Sequence, residues 1–517
     1  MSGEPQDRGI EAETASGPAS HVARRRLSRA FIAIMVVAAF FRGALASQMT
    51  AFHADEVWQY LEPAYGIVTG HWIHAWEFRE GIRGWFVPAV LALPLALGHG
   101  IAPDSQLHIY LMRTTLGALS LAVPWAWYDL GRPISRLHGL VAAWVAAIWC
   151  EVFYFAVRPS AEGIVLSLLF PAIALARRVR LRPAPGPTAC LGLLLALGFV
   201  VRFHYLPAMA VTALWALAPA PRRTIAPLLA GALTGLAIGG LCDMACGQAP
   251  LAWIWRSIAF NIMAGGSEQF GTMPPTWLTT FQIETWGWTA LFLVPACLMG
   301  ARRYPVLLAL ALIVFAMHSA IAHKEYRFVL LGTTSLILLA ALGSVDILNL
   351  LFTRAPFADL HLSDGLRLSL LAALWLALSV TVALCNPFVA YWGQGDKQFT
   401  TLVLAGEQPG LCGLASFDAH NHPSMAMSYF NRDVPVLLFD GPQAREQALA
   451  MQTRFNVAIA STLTGESLPP GFRLVTCYRQ ASLPFEDRQN CIFIRPGECS
   501  GSVSDFAYQE AMERRGK

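Results

Sequence analysis

Residues 52–85 read FHADEVWQYLEPAYGIVTGHWIHAWEFREGIRGW and hold His53, Asp55, Glu56, Gln59, Glu62, Glu77, Arg79, Glu80 and Arg83. Adjacent carboxylates such as Asp55 and Glu56 can serve as a general base that takes a proton from an attacking hydroxyl. They can equally cap a helix or solvate a loop. Helical spacing over 55–65 puts Asp55, Gln59 and Glu62 on one face, although Pro63 limits its regularity. Trp58, Tyr60, Trp72, Trp76 and Trp85 suit a membrane-interface belt or a platform for stacking sugars.

A second group is His323-Lys324-Glu325-Tyr326-Arg327, between two apolar runs. Arginine grips phosphate oxygens through its fork and lysine acts as a point charge. With the neighbouring histidine they can hold a phosphate or diphosphate. Snorkelling cations at a span end are the other reading, but those favour the inner side of a membrane. Arg158-Pro159-Ser160-Ala161-Glu162 and Arg202-Phe203-His204-Tyr205 add charges at the ends of apolar runs. Such charges are expensive in a membrane and point either to a site or to a structural ion pair, for example Glu162 with Arg202. Residues 242–283 form a long loop with Asp243, Asn261, Gly265-Gly266-Ser267 and Phe270-Gly271; its front half is apolar and carries Arg256, a pattern that fits an interfacial helix.

The chain that positions these groups is mostly apolar. Of 517 residues, 55% are hydrophobic and only 14% charged, against about 25% charged in soluble domains. Mean hydropathy is +0.48. A span needs about 20 apolar residues. Eleven stretches qualify or nearly so: 30–49, 108–127, 136–157, 161–176, 188–200, 205–219, 224–241, 284–300, 304–322, 327–345 and 366–386. A twelfth run, 85–98, is ambiguous. Basic loops face the cytoplasm. Leaving 85–98 out of the count puts the arginines of 177–182, 222–223 and 302–303 on the inner side. That run then packs at the outer interface, and both reactive groups share the outer face.

Residues 1–29 are expected to be a disordered cytoplasmic tail, 30–390 a transmembrane catalytic domain with outer loops 50–84 and 242–283, and 391–517 a small outer α/β domain. The last region shows strand-like runs at 434–440 and 491–495 and a helical pattern over 443–459. Cys412, Cys477, Cys491 and Cys499 lie in it, and one or two disulfides are expected in an oxidising compartment. The net charge of +4 is small for the length, and the basic residues sit in short runs, so no nucleic-acid footprint is present. No GxGxxG follows a strand, and no GxxxxGK[ST] or HExxH occurs. A transferase without these scaffolds draws its donor from the membrane.

His53-Ala54-Asp55-Glu56 with Gln59, Glu62, Trp76-Glu77 and Gly81-Ile82-Arg83 resembles the first luminal loop of glycosyltransferase family 22. His323-Lys324-Glu325-x-Arg327-Phe328 is similar to the HKExRF hallmark of that family. Arg158 to Glu162 resembles its R-x-x-x-E element, and Asn261 through Pro274 its Asn-containing loop. The likeness covers residues 30–345. It implies a GT-C fold, all-α in the membrane, and an inverting transferase that moves a sugar, typically mannose, from a polyprenyl-phosphate carrier to a glycan or glycolipid. It implies Asp55 as base, with Glu56 as second candidate or acceptor clamp, and His323, Lys324 and Arg327 on the donor phosphate. His53, Gln59, Glu62, Glu77, Arg83, Arg158, Glu162, Arg202 and Asn261 become substrate-binding or structural candidates. No metal or other cofactor is expected. The expected partners are the lipid-linked donor, the acceptor and membrane lipids. The short loops suggest a bacterial inner-membrane protein with its site in the periplasm; an endoplasmic-reticulum membrane with a luminal site is the alternative. A transporter or flippase is the competing function. It would place charges near mid-membrane, perhaps within an inverted repeat.

Overall fold

A computed structural model describes residues 18–352, 362–385, 387–417, 425–461, 468–479, 489–500 and 507–514. All eleven apolar stretches carry helices. Among the described residues, five segments are long and apolar enough to cross a bilayer: Arg29–Ala46, Pro221–Ala245, Trp277–Ala301, Tyr326–Phe352 and Asp364–Cys385. The others are shorter or interrupted. The stretch 136–157 breaks at Trp149, whose backbone is extended between helices Arg136–Ile148 and Cys150–Phe155. The amide of Cys150 freed by the break donates to Ser379 Oγ at 3.0 Å, as a membrane interior requires. The first helix begins at Pro18 rather than near residue 30. The Ala, Arg and Leu residues ahead of the span are good helix formers and extend it, so 18–29 is not the expected disordered tail. Residues 1–17 of that tail lie outside the described residues.

Helix association in lipid rests on close packing, because the tails are as apolar as the side chains. Gly343 in helix Leu330–Phe352 lies against the backbone of helix Ala290–Ala301. A Cβ on Gly343 would stand 1.8 Å from the Ala296 carbonyl oxygen. Helices Pro185–Val201 and Pro221–Ala245 meet the same way, Gly231 against the Ala189 carbonyl. Leu330–Phe352 is buried through most of its length and forms the centre of the bundle. Leu233, Leu291 and Leu384 on the outer helices remain exposed, as lipid-facing residues should.

The two ends of the bundle differ in charge. At one end Arg178 pairs with Asp129 at 2.7 Å, Arg303 with Asp346 at 3.0 Å, and Arg180 donates to the Trp215 carbonyl at 2.7 Å. Glu162, Arg202 and Arg327 lie at the other ends of the same helices or their neighbours. The basic loops and the candidate residues are therefore separated by the length of the bundle. The run 85–98 lies in helix Phe86–Ile101, and both its ends stay at the candidate-site end. The Trp85 amide donates to Asp243 at 2.9 Å, and past its far end the Pro103 carbonyl accepts from Asn431 at 2.6 Å.

The C-terminal region is an α/β unit with a five-stranded sheet, β1 (Leu414–Ser416), β2 (Val436–Leu438), β3 (Val457–Ser461), β4 (Arg473–Arg479) and β5 (Gln489–Ile494), in the order β2-β1-β3-β5-β4. β1 runs parallel to β2 and β3; β5 is antiparallel to β3 and β4. The helical pattern of 443–459 is helical only over Ala444–Ala450 and a turn at Gln452–Arg454. Its end is β3, because Val457 and Ile459 are buried between two paired strands. Disulfides join Cys412 to Cys499 and Cys477 to Cys491. The unit sits on the candidate-site end: Tyr65 donates to Asn431 at 2.9 Å, and Gln106 donates to the Tyr429 carbonyl at 2.9 Å.

Gly343→Leu should force the central helices apart and destabilise the protein by about 1–3 kcal/mol or more. Gly43→Ala, inside a helix and with open space around its Cβ, should not destabilise. Thermal unfolding in detergent checks both; equal stability of the two variants would refute the packing account.

Candidate active site

The first loop turns on an unusual element. Glu56–Leu61 winds as one π-helical turn with Asp55 at its N-terminus, and runs into helix Glu62–Thr69 with Pro63 in its first turn. The wider winding changes the helical face. Asp55 and Gln59 therefore point into a cavity together, whereas Glu62 turns away. Its carboxylate accepts from the Ser428 amide at 2.8 Å and the Ile73 amide at 3.1 Å. Glu62 thus ties the loop to the C-terminal unit, and the shared face expected from regular spacing does not form.

Arg327 is the centre of the site. It is 2% exposed. Its guanidinium contacts the Asp55 carboxylate, donates from Nε to Glu325 at 2.6 Å, and lies 3.9 Å from Glu162. Glu162 also pairs with Arg202 at 3.0 Å. Ser160 caps helix Ala161–Leu181 by accepting from the Gly163 amide, which sets Glu162 in the first turn, where the helix dipole favours an anion. Arg202 ends helix Pro185–Val201. His53 lies 3.4 Å from Asp55 and 3.7 Å from Glu325, and His323 is 3.0 Å from Glu325.

These groups line a cavity of about 320 Å³. Asp55, His53, Gln59, Glu77, Arg83, Arg202, Asn261, His323, Glu325 and Arg327 form its polar wall; Trp76, Phe270 and Phe328 form its aromatic wall. Gln59 donates to Glu77 at 3.0 Å, and Arg83 lies 3.9 Å from the same oxygen. Asn261 donates to the Ser257 carbonyl and its own carbonyl accepts from Ser267. Gly265 and Gly271, both with positive φ, bracket the turn Gly266–Phe270 that brings Phe270 near-parallel to Trp76.

Besides Glu62 and Glu162, three more expected site residues do not line the cavity. Glu56 is buried, accepts from the Phe52 amide at 2.8 Å and pairs with Arg158 at 3.4 Å. Arg158 donates to Thr50 at 2.9 Å and lies over the Tyr154 ring. Both hold the loop from beneath and neither lines the cavity. Lys324 points away: its ammonium donates to the Met273 carbonyl at 3.0 Å and to the Ile321 carbonyl. The extended backbone around Glu325 sends Lys324 to one side and Glu325 with Arg327 to the other. Glu325 and His204, which stand inside the quoted motifs without an assigned role, and His318, which lies outside them, are also wall residues. A histidine at the end of an apolar run was the available signal for His318.

The electrostatics follow from the contacts. Burial opposes charge on Asp55, yet Arg327 and His53 hold its carboxyl well below the usual carboxylate range. Glu325 is held low against its burial by Arg327 and by its hydrogen bond from His323. Burial and Arg327 oppose protonation of His53, but Asp55 and Glu325 raise its pKa. The hydrogen bond to Glu325 raises that of His323. Burial pushes Glu77 up. His53, Asp55 and Glu325 also bring potential metal-ligand atoms within 4.8 Å of one another.

A helical bundle with its charged site at one end and a small α/β unit above it is the GT-C architecture of membrane glycosyltransferases. The chain superposes on ArnT from Cupriavidus metallidurans bound to undecaprenyl phosphate with a TM-score of 0.56, covering 94% of this chain and 100% of that one at 13% identity. Residues 31–395 match the Alg9-like mannosyltransferase family, and the chain belongs to it. Human GPI alpha-1,2-mannosyltransferase 3 is 25% identical over 301 residues, 54% of this chain and 51% of that protein. Alpha-1,2-mannosyltransferase alg9 of Schizosaccharomyces pombe is 33% identical over 104 residues, 20% of this chain and 18% of its own. The chain thus spans about half the length of the human relative.

His53 and His323 titrate higher when folded. Their contribution to stability is therefore complete below about pH 6.5 and is lost as pH rises through the raised values. Thermal unfolding followed from about pH 5.5 to 8.5 should show this fall, and the double variant His53→Gln/His323→Gln should flatten it. An unchanged slope in the variant would remove the two histidines from the account.

Proposed function

We propose that this protein transfers a mannosyl residue from a polyprenyl phosphate to a hydroxyl of a glycan or glycolipid, at the non-cytoplasmic face of a membrane. One observation carries the reading. Asp55 and Arg327, 272 residues apart in sequence, meet across one cavity at the end of the bundle away from the basic loops. A carboxylate suits an attacking hydroxyl and a guanidinium suits a departing phosphate.

The acceptor oxygen attacks the anomeric carbon from the face opposite the phosphate. The bond from that carbon to the phosphate oxygen breaks, and its electron pair leaves on the phosphate. The hydroxyl proton passes to Asp55. Arg327 stabilises the charge that gathers on the leaving group, with His323 beside it. In the ligand-free arrangement Asp55 is a poor base, because Arg327 holds it. A donor phosphate on Arg327 competes with Asp55 for the guanidinium and raises the proton affinity of the carboxylate as the substrate arrives. Inversion at the anomeric centre follows from the single displacement. An α-1,2 linkage is the product expected from the relatives' names.

Side and compartment rest on two supports. The arginine-rich loops lie at the end away from the site, as on a cytoplasmic face. The α/β unit carries two disulfides, which belong in an oxidising space such as a periplasm or the endoplasmic-reticulum lumen. A bacterial inner membrane suits the short loops. A transporter gains no support, because the charges gather at one end of the bundle.

The test is transfer from polyprenyl-phosphate-mannose by the purified protein, with linkage analysis of the product. Asp55→Asn should reduce kcat by at least about 100-fold, and Arg327→Gln should raise the donor KM and lower kcat. Full activity of Asp55→Asn would sink the base assignment. Activity should persist in chelator; loss that Mn²⁺ or Mg²⁺ restores would assign His53, Asp55 and Glu325 to a metal. Transfer from a nucleotide sugar without lipid carrier would overturn the donor class.

A further inference from the structure

A buried stretch of the cavity wall, its floor, takes no part in the proposed reaction. The cavity's mouth is open: Ile262 is 60% exposed and Phe270 51%. Its floor is closed: Arg202 is 7% exposed and His318 1%. Both floor residues line the same cavity as Asp55.

His318 sits in the last turn of helix Pro305–Ser319. Its Nδ1 is 2.9 Å from the Val314 carbonyl oxygen. A carbonyl can only accept, so Nδ1 carries the proton and, in the neutral ring, Nε2 is a bare acceptor. That Nε2 is buried and has no hydrogen-bond partner among the described residues. Buried polar atoms are rarely left so, and an unpaired one in a cavity wall calls for a ligand. Arg202 Nε and His204 Nδ1 are unpaired in the same wall. The ring of Phe328 lies among them, 4.9 Å from the Arg202 guanidinium carbon and 5.9 Å from the His318 ring.

The chemistry of the missing partner is narrow. A phosphodiester oxygen has no proton to give Nε2, and an isoprenoid has no polar atom. A hydroxyl donates to Nε2, and a neighbouring hydroxyl oxygen accepts from Arg202 Nε. The apolar face of a pyranose can rest on Phe328. The guanidinium carbon of Arg327 lies 5.5 Å from the centre of the Phe328 ring, so a sugar joined to a phosphate on Arg327 reaches this floor. We infer that His318, with Arg202 and Phe328, is the hydroxyl-recognition subsite for the transferred sugar, His318 Nε2 accepting a hydrogen bond from one sugar hydroxyl. The inference rests on the proposed lipid-phosphate-sugar donor and extends it to the residues that read the sugar.

The experiment is thermal-shift titration of the full chain in detergent with β-mannose 1-phosphate, the anomer that inversion to an α linkage requires, and with inorganic phosphate. The proteins are wild type, His318→Phe and His318→Gln. Wild type should bind mannose 1-phosphate at least about tenfold tighter than phosphate. His318→Phe should bring the two within about twofold while keeping the phosphate response. His318→Gln, whose amide oxygen can accept, should keep part of the preference. Equal affinities in wild type overturn the subsite, as does a preference undiminished in His318→Phe. Loss of the phosphate response in both variants also overturns it, because His318 would then only hold the cavity's shape. Methyl α-mannoside that binds together with mannose 1-phosphate, and is itself lost in His318→Phe, would assign the floor to the acceptor and overturn the donor placement. Transfer activity in wild type without the preference would sink the subsite alone. The preference without transfer would sink the reaction and leave a site for a sugar phosphate.

Discussion

Arg327 is a buried cation whose guanidinium meets Asp55, Glu325 and Glu162. A charge cannot stay at the end of an apolar bundle without such partners. Those partners come from the first loop, from the segment leading into the central helix, and from the start of helix Ala161–Leu181. Satisfying one cation therefore fixes the relative position of distant parts of the chain. Arg202 on Glu162 and Arg158 on Glu56 extend the arrangement to further elements. Removing one member of such a pair typically destabilises by about 3–5 kcal/mol, because the other charge stays buried and unpaired. The same contacts that hold the loop give Asp55 its direction.

This coupling of stability to chemistry explains the division of labour among the polar residues. Glu56, Arg158 and Glu62 pair with groups of the protein and do not line the cavity. Asp55, His53, His323 and Arg327 have partners that a substrate can replace. In the proposed reaction a phosphate competes for Arg327, and the carboxylate it releases is the one aimed at the cavity. Preorganised charges in a buried wall act more strongly than the same charges in water, and Trp76, Phe270 and Phe328 make another part of the same cavity wall apolar.

The bundle supplies the rigid frame. Close approach at Gly343 and Gly231 lets helices touch backbone to backbone. The central helix Leu330–Phe352 then carries Arg327 on a stem that neighbouring helices hold. The α/β unit closes the frame from above through Ser428 on Glu62 and Asn431 on Tyr65. Its five-stranded sheet was legible only at β2 and β5, where short β-branched or aromatic runs stood clear of their surroundings. β3 lay hidden in a helical pattern because strand pairing, which is non-local, outweighed local preference.

Apolar runs, arginine-rich loops and two charged motifs were enough to read a polytopic protein with its chemistry at one end, and to leave 85–98 out of the crossing. These depend on composition and on the energetics of charge in lipid, which act locally along the chain. The motif residues Asp55, His323 and Arg327 were legible for the same reason. Which way each side chain faces was not. One π-helical turn carried Glu62 off the face it shared with Asp55. An extended backbone at Glu325 turned Lys324 away from Arg327. Nε2 of His318 is a bare acceptor only because the Val314 carbonyl accepts a hydrogen bond from Nδ1 and so holds the ring proton there. Direction and pairing depend on backbone winding and on groups hundreds of residues away, so the tertiary structure alone decided which charges face the cavity and which hold the protein together.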